Sequence, residues 1–272
     1  MSRLKKWEEK SPLIFSVAAL VLYMILFFLI SVFTTVFIKI EDYYLSLAVN
    51  EALEAVLSVV FLVISGRGKS VFKSRKGFFG SLFVGMYEIV LLALSFSSVC
   101  YINAAEELES LGSIISFVVC MLLVGVTEEV FFRGVVADII LENYGKDRKG
   151  VIFSVAVSGL LFGLSHISNL AAGVGISGVL IQIAQAAILG MFFGAVYMRT
   201  HNIFAVIFLH AAMDFVALSA SGLWGVGTVE SSIDGLEVQS LVSLIIYLIP
   251  TIFIMRFSKI DEYLAQRELP QK

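Results

Sequence analysis

Long runs of Leu, Ile, Val, Phe and Ala dominate the chain, separated by short clusters of charged and small residues. They fall at about 13–38, 44–65, 78–101, 111–141, 151–167, 175–198, 203–221 and 238–256. All are near or above the ~20 residues a helix needs to cross a hydrocarbon core, except 151–167, which is marginal. None shows the strict alternation of an outer-membrane barrel strand, and only three prolines interrupt the chain. The expected fold is an all-α integral membrane protein with about eight transmembrane helices. Ser11-Pro12 should open the first helix, with a capping hydroxyl and then a proline where no backbone donor is needed. That run follows Arg3, Lys5 and Lys6 as a signal peptide would, but 13–38 is too long for a signal core and is the first span.

Composition agrees with the pattern. Hydrophobic residues make up 59% of the 272 and charged residues 15%, where soluble domains carry roughly 25% charged. Too little polar surface remains to face water, so the apolar faces meet lipid. The net charge of −3 says little, because the charges are sorted by side. If the N-terminus is cytoplasmic, 17 of the 19 basic residues share its side: the N-terminal group, the 67–76 and 146–149 loops, Arg199, and a tail ending at Lys272. Lys39 falls outside and Arg133 lies within a helix. This asymmetry predicts an N-in, C-in topology. Cys100 and Cys120 are read as apolar packing groups rather than a redox pair.

The chain reads as one domain in three parts: 1–110 with helices one to three, 111–221 as the core, and 222–272 with the last span and a cytoplasmic tail. Gly159 with Gly163, and Gly190 with Gly194, are small residues one turn apart, which suits close helix–helix packing.

Ionisable residues inside a membrane are costly and mark function or pairing. The densest group lies on the fourth helix: Glu128, Glu129, Arg133 and Asp138. Glu129 and Arg133 are four apart and can pair on one face, while Glu128 is turned about 100° away. A carboxylate left unpaired in a low-dielectric cavity suits a general base. His166 lies on the fifth helix, and His210 with Asp214 one turn later on the seventh. Counted from the 142–150 hairpin, Glu128 and His166 both stand about 21–24 Å from its tip, at ~1.5 Å per residue. His210 is shallower, at about 10 Å, so the three meet if the hairpin extends a turn or two beyond the membrane. Taken singly, a buried His or an i,i+4 Glu–Arg pair is more often structural; their coincidence on three helices favours a site. Glu51 and Glu54 are read as lying near the outer interface, Glu88 as unexplained, and His201 as solvated.

Glu128-Glu129-Val-Phe-Phe-Arg133 is an EExxxR motif, Phe162-Gly-Leu-Ser-His166 is FxxxH, and His210-Ala-Ala-Met-Asp214 is HxxxD. In that order on successive membrane helices, over about 115–220, they resemble the three motifs of the CPBP family. This is the CAAX-protease and bacteriocin-processing group, also called Abi. The resemblance implies an intramembrane endopeptidase acting on a peptide or membrane-protein substrate, with no nucleic-acid partner. It implies that Glu128 and His166 activate water, that His210 and the residue a turn later stabilise the oxyanion, and that Glu129 and Arg133 shape the pocket. CAAX-processing relatives typically carry Asn where Asp214 stands. An ionised Asp would repel an oxyanion, so Asp214 is protonated, orients His210, or binds something positive. The family bears both metalloprotease and glutamate-protease labels. Glu128, His166 and His210 would suffice as zinc ligands with an open position, although no HExxH is present. The small size points to a bacterial plasma membrane. Two other readings use the same residues: a catalytically silent adaptor or immunity protein, and a proton-coupled transporter. No inverted repeat supports the last.

Overall fold

The computed structural model describes residues 3–268; Lys272, counted above with the basic tail, lies outside them. Among the described residues there are helices and turns and no strands. Every apolar run is helical. The spans Pro12–Phe37, Tyr43–Ile64, Leu111–Tyr144, Arg148–Leu170 and Ile176–Thr200 are long and apolar enough to cross a membrane. Two further runs are broken: Phe78–Val84 meets Met86–Ile102 at 75°, and Val238–Ile254 meets Phe257–Arg267 at 53°. The run expected at 203–221 is a 15-residue helix, Ile203–Ala217, followed by the short Ser219–Trp224. Eight apolar elements are therefore present. By length and composition they make five spans, or up to seven if each bent pair counts as one.

The breaks have local causes. Gly85 separates the first bent pair, and a side chain there would meet Leu209 of the HxxxD helix at 2.5 Å. In the second, Pro250 removes a backbone donor four residues before the helix ends at Ile254. Proline does begin the first span as expected, but the Ser11 hydroxyl makes no capping bond. Its backbone instead continues the ladder from the preceding helix Arg3–Lys10, accepting from Phe15 and donating to Trp7.

Burial identifies the interior. The buried share of each span's most apolar stretch is 17% for Pro12–Phe37 and 28% for Tyr43–Ile64. It rises to 44% for Leu111–Tyr144 and Arg148–Leu170, and to 61% for Ile176–Thr200. The helices bearing the first two motifs thus lie inside, and the first two spans form a rim toward lipid. Gly159 and Gly163 let the FxxxH helix close onto Ile176–Thr200: a methyl at Gly163 would stand 2.5 Å from the Ile183 carbonyl. At such contacts backbones touch directly, as the glycine spacing predicts. Cys120 packs with Phe117 and Met121, and both cysteines are free thiols.

The basic segments gather at one end of the bundle. Arg67 pairs with buried Glu8 at 2.7 Å, tying the N-terminal helix to the loop after Ile64. Burial alone would raise the Glu8 carboxyl, but hydrogen bonds from Arg67 and Lys5 outweigh it and hold Glu8 below the ordinary range. Arg148 holds Asp261 through two bonds of 2.6 Å, and Arg267 donates to the carbonyls of Leu141 and Gly145.

His201 departs from expectation. Rather than being solvated, it ends Ile176–Thr200 in a left-handed turn (φ 46°), with its ring against Tyr197 and Nε2 4.0 Å from Asp138. Burial, and then the charge of Arg75, push its pKa down from 6.5 to about 4. The folded state therefore holds His201 neutral, while the unfolded chain takes up a proton below pH 6.5. Stability from this group is present above pH 6.5 and lost as pH falls toward 4. We expect melting temperature in detergent to drop across that window, by the equivalent of on the order of 2 kcal/mol. His201→Asn, which tolerates the left-handed turn, should flatten that part of the profile; an unchanged profile would contradict this.

Candidate active site

The EExxxR helix is not α-helical throughout. Residues Phe132–Ala137 form a π turn, and all six are buried. Such a turn inserts an extra residue into the ladder and re-aims the side chains around it. Arg133, 2% exposed, still reaches back to Glu129, with Nε 3.0 Å from Oε2. That contact is an ion pair rather than an aligned hydrogen bond. The guanidinium also donates to the Gly190 carbonyl at 3.1 Å and lies over the rings of Phe162 (4.7 Å) and Phe193 (5.7 Å). A fully buried cation is thus compensated on several sides, as it must be at this depth.

The other Glu129 oxygen faces a different helix. His210 Nδ1 lies 2.7 Å from Glu129 Oε1. Its ring stacks on Phe193 and meets the Phe162 ring edge to face. His210 Nε2 stands 3.4 Å from Glu128 Oε2 and 3.3 Å from Asp214 Oδ2. Exposure separates two layers. Glu129, Arg133 and His210 are at most 3% exposed, whereas Glu128 retains 24% and Asp214 18%. The inner three fix one imidazole; the outer two carboxyls flank its free nitrogen. A carboxylate can only accept, so Glu129 takes the Nδ1–H. Nε2 then faces two carboxyls, which is favourable only if it carries a proton or one of them does.

His166 opens a 3₁₀ turn, His166–Leu170, at the end of the FxxxH helix. Its Nδ1 lies 3.1 Å from the Phe162 carbonyl, which can only accept. The neutral tautomer therefore leaves Nε2 as an open acceptor. His166 also packs on Phe162, with ring centroids 5.2 Å apart, so one phenylalanine supports both motif histidines. Five of the six expected side chains thus form one contact network, and His166 adjoins it through Phe162.

The role of Glu129 was only half legible: pairing with Arg133 was expected, holding His210 was not. Three further acids lie outside this network. Glu54 is fully buried and accepts from Asn50, and Thr127, next to Glu128, donates to the Glu51 backbone. Glu51 therefore lies against the EExxxR helix. Glu88 is fully buried, and neither of its oxygens has a hydrogen-bond partner among the described residues.

Residues 110–216 match the family described as type II CAAX prenyl endopeptidase Rce1-like. The matched segment is similar to an Rce1-like domain. It contains all three motifs, from Glu128 to Asp214, and the helices that bring them together. The match supports a membrane hydrolase of the CAAX-protease kind. No curated protein and no solved structure matches the chain. Within the matched segment, as among all described residues, no three His, Cys, Asp or Glu side chains stand as a metal-ligand set. His210 already has Glu129 at one nitrogen and two carboxyls at the other.

Proposed function

We propose that this protein is an intramembrane endopeptidase whose water nucleophile is activated by Glu128 and aligned by His166. The arrangement of His210, held at Nδ1 by Glu129 and flanked at Nε2 by Glu128 and Asp214, carries this reading. Of the two acids in the EExxxR motif, Glu128 is the one that is partly exposed and free of a partner on its own helix. A water between Glu128 and the open Nε2 of His166 gives its proton to Glu128 and its oxygen to the scissile carbonyl carbon. The carbonyl oxygen becomes an oxyanion, which the protonated Nε2 of His210 stabilises. Glu128 then returns the proton to the leaving amine as the C–N bond breaks. Asp214 orients His210 on this account, rather than donating to the oxyanion as Asn would.

The basic end of the bundle is proposed to face the cytoplasm. The substrate is a peptide or membrane-protein segment; a prenylated C-terminal peptide is the class named in the family's description. The test is cleavage of a peptide library, with and without prenyl groups, by the purified protein. Cleavage at a defined bond is expected, and its complete absence would favour a silent adaptor. In the same assay the reaction should need no ion. Stoichiometric zinc, with activity lost to a chelator and restored by zinc, would contradict that part of the mechanism.

A further inference from the structure

The corner after Pro250 carries a feature unrelated to the catalytic cluster. Beside it lies a groove of about 430 Å³ between the FxxxH helix, Ile176–Thr200 and Val242–Ile254. Ile152, Val155, Ala156, Met191, Leu248 and Ile252 form its walls. The one hydroxyl lining it, on Thr251, is already bonded to the Tyr247 carbonyl, so the groove offers little but apolar surface. That volume lies within the ~300–1,000 Å³ of small-ligand sites. Its single charged lining residue, Arg256, stands exposed at the 53° corner, where the groove ends.

The corner is strongly basic. Lys76, Arg199 and Lys259 line a small cleft beside the same turn, with Glu262 as its acid. Lys259 takes Glu262 at 2.6 Å. Among the described residues Lys76, Arg199 and Arg256 have no carboxylate within ion-pair distance; Glu262 offsets part of the charge of Arg199 and Lys76, while Arg199 and Arg256 repel each other. The geometry is built rather than incidental. The backbone of Arg75 and Lys76 donates to the Thr200 carbonyl, and Asn202 donates to the Lys76 carbonyl. Arg148 clamps the last helix through Asp261. Like charges held together at the end of an apolar groove ask for an anion carrying a hydrocarbon chain.

We propose that this corner binds one anionic phospholipid, with an acyl chain in the groove and the headgroup phosphate against Arg256 and Arg199. Zwitterionic lipid offers the same chain but a headgroup compensated by its own cation, so charge should decide the preference.

Native mass spectrometry of the purified full chain, titrated in detergent with phosphatidylglycerol or phosphatidylcholine, tests this. Phosphatidylglycerol should be retained about tenfold better, and Arg256→Gln should reduce that preference toward parity. Arg256 is exposed, and its local contacts are both to Phe253, a bond to the carbonyl at 3.0 Å and the ring face at 4.5 Å; Gln can still donate to that carbonyl. Ala156→Phe, which fills the groove, should weaken retention of both lipids while keeping their ratio. Equal retention of the two lipids by the wild type, or Arg256→Gln without effect, would overturn the proposal. So would complete displacement of phosphatidylglycerol by inorganic phosphate, which would make this a free-phosphate site. Displacement by a prenylated peptide would assign the groove to substrate and overturn it equally.

Discussion

Glu129→Gln should lower both melting temperature and cleavage. Glu129 is fully buried and its two oxygens face two cations or potential cations, Arg133 at 3.0 Å and His210 at 2.7 Å. An amide keeps the shape but loses the charge, leaving a 2%-exposed guanidinium with only the Gly190 carbonyl and two aromatic faces. Breaking a buried pair from one side costs about 3–5 kcal/mol, which in a protein of this size lowers the melting temperature by roughly 10 °C. Cleavage should fall as well, because the single amide oxygen can face either Arg133 or the His210 Nδ1–H, and the amide NH2 then opposes the other donor. The measurement is thermal unfolding and cleavage rate for the same preparation. Lost activity with an unchanged melting temperature would mean that Glu129 acts in the chemistry and not as a support.

Much of this architecture can be read from the sequence, for a physical reason. A lipid-exposed run of twenty apolar residues can satisfy its backbone only as a helix, so all eight elements are legible. Their breaks are not. Gly85 looks like any other glycine in an apolar run until Leu209 is seen against it. The π turn at Phe132–Ala137 depends on how the ladder is registered, which composition does not encode. The same limit governs the site. Glu129–Arg133 follows from spacing along one helix, whereas Glu129–His210 needs the offset between two. Counting residues from a loop leaves the relative depth of His210 open, because it does not fix the offset between two helices. Glu54 has only the amide of Asn50 to pair with one turn away, and Glu88 has no charged partner at helical spacing, so their burial is not legible locally.

The contrast between the paired glutamates leads to the central claim. Glu128 has no partner on its own helix and keeps 24% of its side-chain surface, with His210 Nε2 at 3.4 Å. Replacing it with Gln removes a costly acid while preserving volume and hydrogen-bonding capacity, so the fold should tolerate the change. The chemistry should not, because an amide cannot accept the proton of water, and positioned general bases contribute about 10²–10⁴-fold. The decisive measurement is therefore the single-turnover cleavage rate of purified Glu128→Gln beside wild type, with melting temperature recorded for both. A rate reduced at least ~100-fold at an unchanged melting temperature is the predicted result. Near wild-type cleavage by a folded Glu128→Gln would contradict Glu128 as the base.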